Sequence, residues 1–139
     1  MTPIKILISV LEDQEAIKDV IVSNINENPL FSAVGYTNIE EFKCHMTKDV
    51  NLVVTDFKIG EQNALDVIMW LKLNFRGAHI IVISAYFTPE ILVKLIRCRV
   101  SDVVEKNGVL WIDELVFAID ALVPEITAKM VTLSDHDNI

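Results

Sequence analysis

The strongest constraint on the fold is an alternation along the chain between short runs of apolar, β-branched residues and longer segments with helical spacing. The apolar runs predict five strands, at residues 4–11, 31–36, 51–55, 79–84 and 101–105. The helical segments follow them, at 14–26, 38–46, 64–74, from 88 onward, and from 110 to about 122. Strands that alternate with helices predict an α/β fold with a parallel sheet, covered by helices on both faces.

The size and charge of the chain limit the classes of protein to which it can belong. Its 139 residues fit one domain, and 12 Lys and Arg against 20 Asp and Glu give a net charge of −8. That balance argues against nucleic-acid binding by this domain itself, and against binding to an anionic membrane surface. No apolar run is long enough to cross a bilayer, no secretory leader is visible, and Cys44 and Cys98 make no disulfide framework. We therefore expect a cytoplasmic chain with free thiols.

Polar residues that directly follow the predicted strands are the candidates for a functional site. Glu12 and Asp13 follow the first strand, Asp56 closes the third, Ser84 closes the fourth and Lys106 follows the fifth. Ligands of an open parallel sheet bind at the carboxyl ends of the strands, where the strand order reverses. If the first and third strands are neighbours, these side chains converge on one edge of the sheet.

The chemistry of such a cluster points to phosphoryl transfer. Three carboxylates within a few ångströms repel one another strongly, and a hard divalent cation such as Mg²⁺ relieves that repulsion through oxygen ligands. A carboxylate can also act as a nucleophile and accept a phosphoryl group as an acyl phosphate. Phosphoryl transfer demands mainly positioning and charge neutralisation, which a metal ion, a lysine and a hydroxyl group supply.

Four segments, ILISVLEDQ, LVVTDFKIG, HIIVISAY and DVVEKNG, together resemble the receiver domain of two-component response regulators, over about residues 4–122. The resemblance implies a doubly wound (βα)5 flavodoxin-like sandwich, with a five-stranded parallel sheet in the order 2-1-3-4-5. It implies that Glu12 and Asp13 form a metal-binding acidic pair, and that Asp56 is both a metal ligand and the phosphoacceptor.

The resemblance also implies roles for three further residues and a partner. Ser84 would supply the hydroxyl group that follows the phosphoryl group, Lys106 the cation that pairs with it, and Lys58 a backbone carbonyl that binds Mg²⁺. The implied partner is a sensor histidine kinase, which presents a phosphohistidine. The protein would then be a switch that at most phosphorylates and dephosphorylates itself, not a turnover enzyme.

Several positions depart from the family pattern. Ile-Gly-Glu at 59–61 replaces the family's Met-Pro-Gly run, and Lys58 places a long cation beside the site. Val103 stands three residues before the site lysine, where the family usually has a switch aromatic. Signalling is therefore expected to use backbone movement of the loops after Ser84 and Lys106, with Tyr86 or Phe87 as an alternative aromatic readout. These departures keep open an alternative, an atypical receiver that acts without phosphorylation as a dimerisation or adaptor module. A phosphatase with an aspartyl nucleophile is less favoured, because such sites normally need a second Asp where this chain has Lys58.

The last predicted helix carries apolar residues on two sides. Four of them share the face expected to cover the sheet: Ile112, Leu115, Ile119 and Leu122. Leu110, Phe117 and Ala121 fall on a different side, which a monomeric surface helix would normally keep polar. We expect this second side to contact a partner, either in a homodimer or in an effector domain.

The chain is expected to divide at Pro124. Residues 1–124 form the receiver domain, and 125–139 lose the helical period and are predicted as a linker, or a linker with the start of a C-terminal DNA-binding domain. VVEKNG with the following DELVFAIDAL is similar to receivers of the NarL/FixJ class, which usually precede a LuxR-type helix-turn-helix, and LSDHDNI is similar to the opening of such a domain. Transcription regulation and DNA binding are thus expected of the full-length protein.

Overall fold

The computed structural model describes residues 5–137 and shows a five-stranded parallel sheet with helices on both faces. The strands are β1 (Ile6–Leu11), β2 (Phe31–Tyr36), β3 (Leu52–Asp56), β4 (His79–Ser84) and β5 (Asp102–Glu105). The helices are α1 (Glu15–Asn26), α2 (Ile39–His45), α3 (Ala64–Asn74), α4 (Pro89–Arg97) and α5 (Trp111–Asp137). The strand order β2-β1-β3-β4-β5 confirms the predicted doubly wound (βα)5 sandwich. Ile4, the first residue of the predicted first strand, lies outside the described residues.

The sheet reverses its winding between β1 and β3, which pair directly. Leu11 at the end of β1 lies beside Thr55, and Asp56 at the end of β3 lies beside Ile83. Ser84 at the end of β4 pairs in turn with Glu105 of β5. The carboxyl ends of four adjacent strands therefore meet along one edge, here called the upper edge of the sheet.

Two separate hydrophobic cores hold the helices to the two faces of the sheet. One core includes buried residues of α1 and α5: Ile21, Ile25, Leu115 and Ile119. The other includes buried residues of α2, α3 and α4: Phe42, Ile68, Leu71 and Leu95. Because both faces are covered, the strands are apolar along most of their length, with little alternation.

Helix caps begin two of the helices where the sequence predicts them. The side-chain oxygen of Asn38 accepts a hydrogen bond from the Glu41 N–H at 2.8 Å, and the Thr88 hydroxyl accepts one from the Ile91 N–H at 3.1 Å. Each side chain satisfies an amide of the first turn that has no partner within the helix. Pro89 follows Thr88 in the first turn of α4, a position that needs no N–H donor.

The prediction that the last helix ends near Leu122 is wrong. Helix α5 continues through Pro124 to Asp137. Proline in a helix interior costs about 3 kcal/mol, but Ile126, two residues further on, is 2% exposed and belongs to the core, with Met130 packed against it. This burial outweighs the break that proline favours, so the chain shows no change of backbone structure at the predicted boundary between domain and linker.

The two sides of α5 agree with the sequence analysis. Leu115 and Ile119 are buried against the sheet, whereas Leu110 and Phe117 are 64% and 77% exposed. Ala121 is exposed as well. Within residues 5–137, no helix combines the length and the apolar character that crossing a membrane requires.

Candidate functional site

Three carboxylates converge at the upper edge of the sheet. Glu12 follows β1 directly, Asp13 comes next, and Asp56 is the last residue of β3. One carboxylate oxygen of each residue lies within 4.8 Å of the others. Glu12 is fully buried and Asp56 is 6% exposed, whereas Asp13 faces solvent. The pairing of β1 with β3 brings these side chains together, as the sequence predicts.

Lys106 places a positive charge between two of the carboxylates. It follows β5, and its Nζ atom lies 2.8 Å from Glu12 Oε1 and 3.1 Å from Asp56 Oδ2. Its backbone N–H donates to the Ser84 carbonyl at 2.7 Å, which fixes the start of the loop beside β4. Because β4 separates β5 from β3, the long lysine side chain reaches the acidic cluster where a shorter residue would not.

The charges of this cluster are only partly balanced. Burial raises the pKa of Glu12 to about 7; the hydrogen bond from Lys106 acts against this rise, and the charge of Asp56 adds to it. Burial also opposes the charged form of Lys106, but its hydrogen bond to Glu12 and the charge of Asp56 outweigh burial and raise its pKa above the usual value. One ammonium group faces three carboxylates, so the cluster retains excess negative potential that a divalent cation would neutralise.

Asp13 is held by a loop that the sequence analysis did not identify. The backbone N–H of Gly60 donates to Asp13 Oδ2 at 3.0 Å. Although burial acts to raise the pKa of Asp13, hydrogen bonds from Glu12 and from this amide outweigh it and lower the pKa below its usual value. Gly60 lies in the turn of a short antiparallel hairpin formed by Lys58–Ile59 and Gln62–Asn63, here called the rim hairpin.

The turn of the rim hairpin depends on glycine. Gly60 has a φ of 61°, a conformation that glycine adopts without steric cost. In the sequence, Gly60 is an isolated glycine between short segments that contain both polar and apolar residues, and this pattern indicates a turn. Lys58, two residues after Asp56, is the first residue of this hairpin and is exposed. Its predicted role as a carbonyl ligand remains a prediction.

Ser84 lies at the end of β4 but makes its hydrogen bonds to its own loop. Its Oγ donates to the Tyr86 carbonyl at 3.0 Å, and it is 8% exposed. In the part of the chain that the structure describes, no hydrogen bond links its side chain to the acidic cluster. The two aromatic residues of this loop differ, because Phe87 is buried in the core and Tyr86 is 67% exposed. Tyr86 is therefore the aromatic side chain of this loop that is accessible to a partner.

The donor set fits a hard divalent cation. Carboxylate oxygens are the ligands that Mg²⁺ prefers, and it usually needs only one or two of them, with water completing the octahedron. Glu12, Asp13 and Asp56 provide these oxygens at the upper edge, with Asp13 open to solvent. In the described residues, no histidine or cysteine belongs to this cluster, so softer metals that favour nitrogen or sulfur ligands fit it less well.

Comparison with known sequences gives one relative and no family model. No protein-family model matches the chain. A Rickettsia typhi protein described as an NtrX-like response regulator is 27% identical over 99 residues, which cover 70% of this chain. The matched segment spans 21% of that protein's own length.

Solved structures with the same fold are receiver domains of response regulators. The signal receiver domain of a LuxO repressor from Vibrio parahaemolyticus has a TM-score of 0.81 at 15% identity, and the match covers 93% of this chain and 98% of that one. RcsB of Salmonella enterica serovar Typhimurium, whose structure is bound to the rprA promoter with the phosphomimetic BeF₃⁻, has a TM-score of 0.74 at 20% identity. That match covers 84% of this chain and 67% of RcsB. These likenesses show that the chain has the fold of response regulator receivers.

Proposed function

We propose that this domain is the phosphoacceptor receiver of a two-component response regulator, with Asp56 as the residue that accepts the phosphoryl group. The observation that carries the proposal is the contact of Lys106 with Asp56 at 3.1 Å and Glu12 at 2.8 Å, beside a third carboxylate. A buried aspartate at the end of a strand, flanked by acidic metal ligands and a lysine, suits phosphoryl transfer. Such transfer depends mainly on charge neutralisation and positioning.

In the proposed transfer, an oxygen of Asp56 attacks the phosphorus of a phosphohistidine on a sensor histidine kinase. The new P–O bond forms an acyl phosphate as the P–N bond breaks, and the imidazole leaves with the electron pair and takes up a proton. Mg²⁺ held by Glu12, Asp13, Asp56 and the Lys58 carbonyl would supply positive charge for the phosphoryl oxygens.

Lys106 and Ser84 are proposed to convert phosphorylation into a change of shape. Lys106 already contacts Asp56, and would retain the phosphorylated side chain by a charge-assisted hydrogen bond. The Ser84 hydroxyl would have to leave the Tyr86 carbonyl to reach the phosphoryl group. That exchange of partners would move the loop that carries the exposed Tyr86, which makes this loop the proposed two-state element.

Incubation with Mg²⁺ and acetyl phosphate, followed by intact-mass spectrometry, tests the proposed phosphorylation. We expect the mass of one phosphoryl group to be added to the native chain and none to Asp56→Asn. Replacement of Asp66, an exposed carboxylate on α3, by Asn is the matched control and should leave the incorporation unchanged. No incorporation into the native chain, together with no response to beryllofluoride, would favour a phosphorylation-independent dimerisation or adaptor module.

The proposed output is a change in self-association that controls transcription. Leu110, directly before α5, and Phe117 and Ala121 on that helix form an exposed, apolar surface that fits a homodimer contact. The likeness to NarL/FixJ receivers, and the promoter bound by the similarly folded RcsB, support a DNA-binding helix-turn-helix domain in the full-length protein. We propose a cytoplasmic location, the type of compartment in which free thiols such as Cys44 and Cys98 persist. Sedimentation analysis with and without beryllofluoride tests the dimer, which should form only in its presence.

A further inference from the structure

A cavity lies at the lower edge of the sheet, at the opposite ends of the strands from Asp56. It lies between the segments that precede β3 and β4 and the C-terminal half of α5, and it has a volume of about 260 Å³. Its apolar wall is formed by buried and half-buried side chains: Val50, Phe75, Ala78, Ile126 and Met130. Two of these belong to the part of α5 beyond Pro124, so the lower cavity exists only because that helix continues.

Cationic side chains surround the lower cavity. Lys48, Arg76 and Lys129 line it, and an adjoining hollow adds Lys72 and Arg99. These residues are five of the 12 Lys and Arg in a chain whose net charge is −8. In the described residues, Glu125 is the only carboxylate that lines either space. Positive charge is therefore concentrated at this edge, against the charge of the whole chain.

Two of these cations already have hydrogen-bond partners, and two others are available to a ligand. Lys129 Nζ already donates to the Gly77 carbonyl at 2.8 Å, and Lys72 Nζ donates to the Arg99 carbonyl at 3.0 Å. Lys48 and Arg76 are exposed, and within residues 5–137 neither side chain takes part in a hydrogen bond or an ion pair. The cavity thus combines an apolar wall with two free donors at its rim.

His79 lies at this edge and is exposed to charges of both signs. Burial is the main cause that lowers its pKa, and the charges of Lys129 and Lys72 lower it further, while Glu125 acts in the opposite direction.

We propose that the lower cavity binds a small organic anion with an apolar body, such as an arylalkyl carboxylate. The carboxylate would lie at Lys48 and Arg76, and the apolar body would lie against Phe75, Ile126 and Met130. The volume lies just below the usual range for ligand sites, which favours a compact molecule over a peptide. An apolar wall offers nothing to a bare phosphate, which disfavours an inorganic anion. Because α5 forms part of the wall, occupancy would restrain the C-terminal half of this helix.

Titration of the ¹⁵N-labelled 139-residue chain with 3-phenylpropionate, followed by NMR, tests the proposal. We expect saturable shifts at the amides of Val50, Ala78 and Lys129. The corresponding alcohol 3-phenylpropanol and the cation 3-phenylpropylammonium should bind far more weakly, because they lack the negative charge. Equal binding of the alcohol, no saturable binding of the carboxylate, or shifts confined to other regions would overturn the proposal.

A charge variant with a matched control separates this site from general electrostatic attraction. The double variant Lys48→Gln with Arg76→Gln should weaken 3-phenylpropionate binding about tenfold, because it removes the charge-assisted contacts. Both positions are exposed, so the fold should persist and the spectrum should confirm it. The double variant Lys94→Gln with Arg97→Gln, at exposed positions of α4 outside the cavity, removes the same charge and should change the affinity less than about twofold. An equal loss in the control, or tighter binding of inorganic tripolyphosphate at the same residues, would contradict the proposal.

Discussion

The two edges of the sheet carry opposite charge and are built in different ways. The upper edge gathers Glu12, Asp13 and Asp56 around one lysine, whereas the lower edge gathers cations around an apolar cavity. The upper site comes from residues that directly follow strands, so the sheet alone brings them together. The lower cavity needs two loops and a helix that packs beyond a proline. The strand order of this sheet is thus enough to bring the upper-edge residues together, whereas the lower edge depends on the loops that connect the strands and on α5.

The largest expected effect is the loss of phosphorylation when Asp56 at the upper edge is replaced. Substitutions at the lower edge are expected to leave phosphorylation unchanged. Asp56→Asn should abolish incorporation from acetyl phosphate, because the amide is not a nucleophile for phosphorus. The double variant Lys48→Gln with Arg76→Gln should incorporate as much as the native chain. Intact-mass spectrometry measures both. Reduced incorporation in the double variant would show that the two edges are coupled and do not act independently.

The second expected effect concerns the stability of the lower edge. Ile126→Ala should lower the free energy of unfolding by about 2–5 kcal/mol, because Ile126 is 2% exposed and its truncation leaves a cavity. Val131→Ala is the control on the same helix; that side chain is 57% exposed, and the change should stay within about 0.5 kcal/mol. Urea unfolding followed by circular dichroism measures both. Equal values would show that α5 does not pack beyond Pro124.

The sequence predicted most of the upper edge because the physics there is local. Polar residues close or directly follow four of the strands, and parallel strands end at the same edge. The positions of Glu12, Asp56 and Lys106 therefore followed from the strand ends together with the strand order that the family resemblance implied. The contact between Gly60 and Asp13 could not be predicted in this way, since it depends on the fold of the rim hairpin. The hydrogen bond from Ser84 to the Tyr86 carbonyl likewise depends on loop conformation.

The lower edge was not predicted because two local signals pointed in opposite directions. Pro124 and the polar residues after it indicate the end of a helix, and the prediction followed them. Ile126 and Met130, four residues apart, continue the apolar face of Ile119, and the structure follows these instead. Packing against the core decides between such signals, and packing is a tertiary property. The cations of the cavity are also far apart in sequence, so no motif marked them.

Mg²⁺ binding is expected to depend on the acidic cluster at the upper edge and not on the charge of the lower edge. Glu12→Gln should weaken Mg²⁺ binding about tenfold or more, because it removes one anionic oxygen ligand from the cluster. Glu125→Gln removes the same charge at the lower edge and should leave Mg²⁺ affinity unchanged within about twofold, because exposed charges at that distance are screened. Isothermal titration calorimetry with MgCl₂ measures both. Equal losses would mean that net charge, not the cluster, determines Mg²⁺ affinity.

The smallest expected effect separates backbone strain at the upper edge from crowding at the lower edge. Gly60→Ala should cost about 1–2 kcal/mol, since φ is 61° there and a β-carbon strains that conformation even though it would meet no atom within 4 Å. Gly77→Ala would place its β-carbon against the ammonium group of Lys129, the mobile end of a flexible side chain. Its displacement loses one exposed hydrogen bond, and the lower entropy of the unfolded chain offsets about 0.4–1 kcal/mol. Urea unfolding should therefore place Gly77→Ala within about 0.5 kcal/mol of the native chain, and the reverse order would show that crowding, not backbone conformation, limits substitution at these turns.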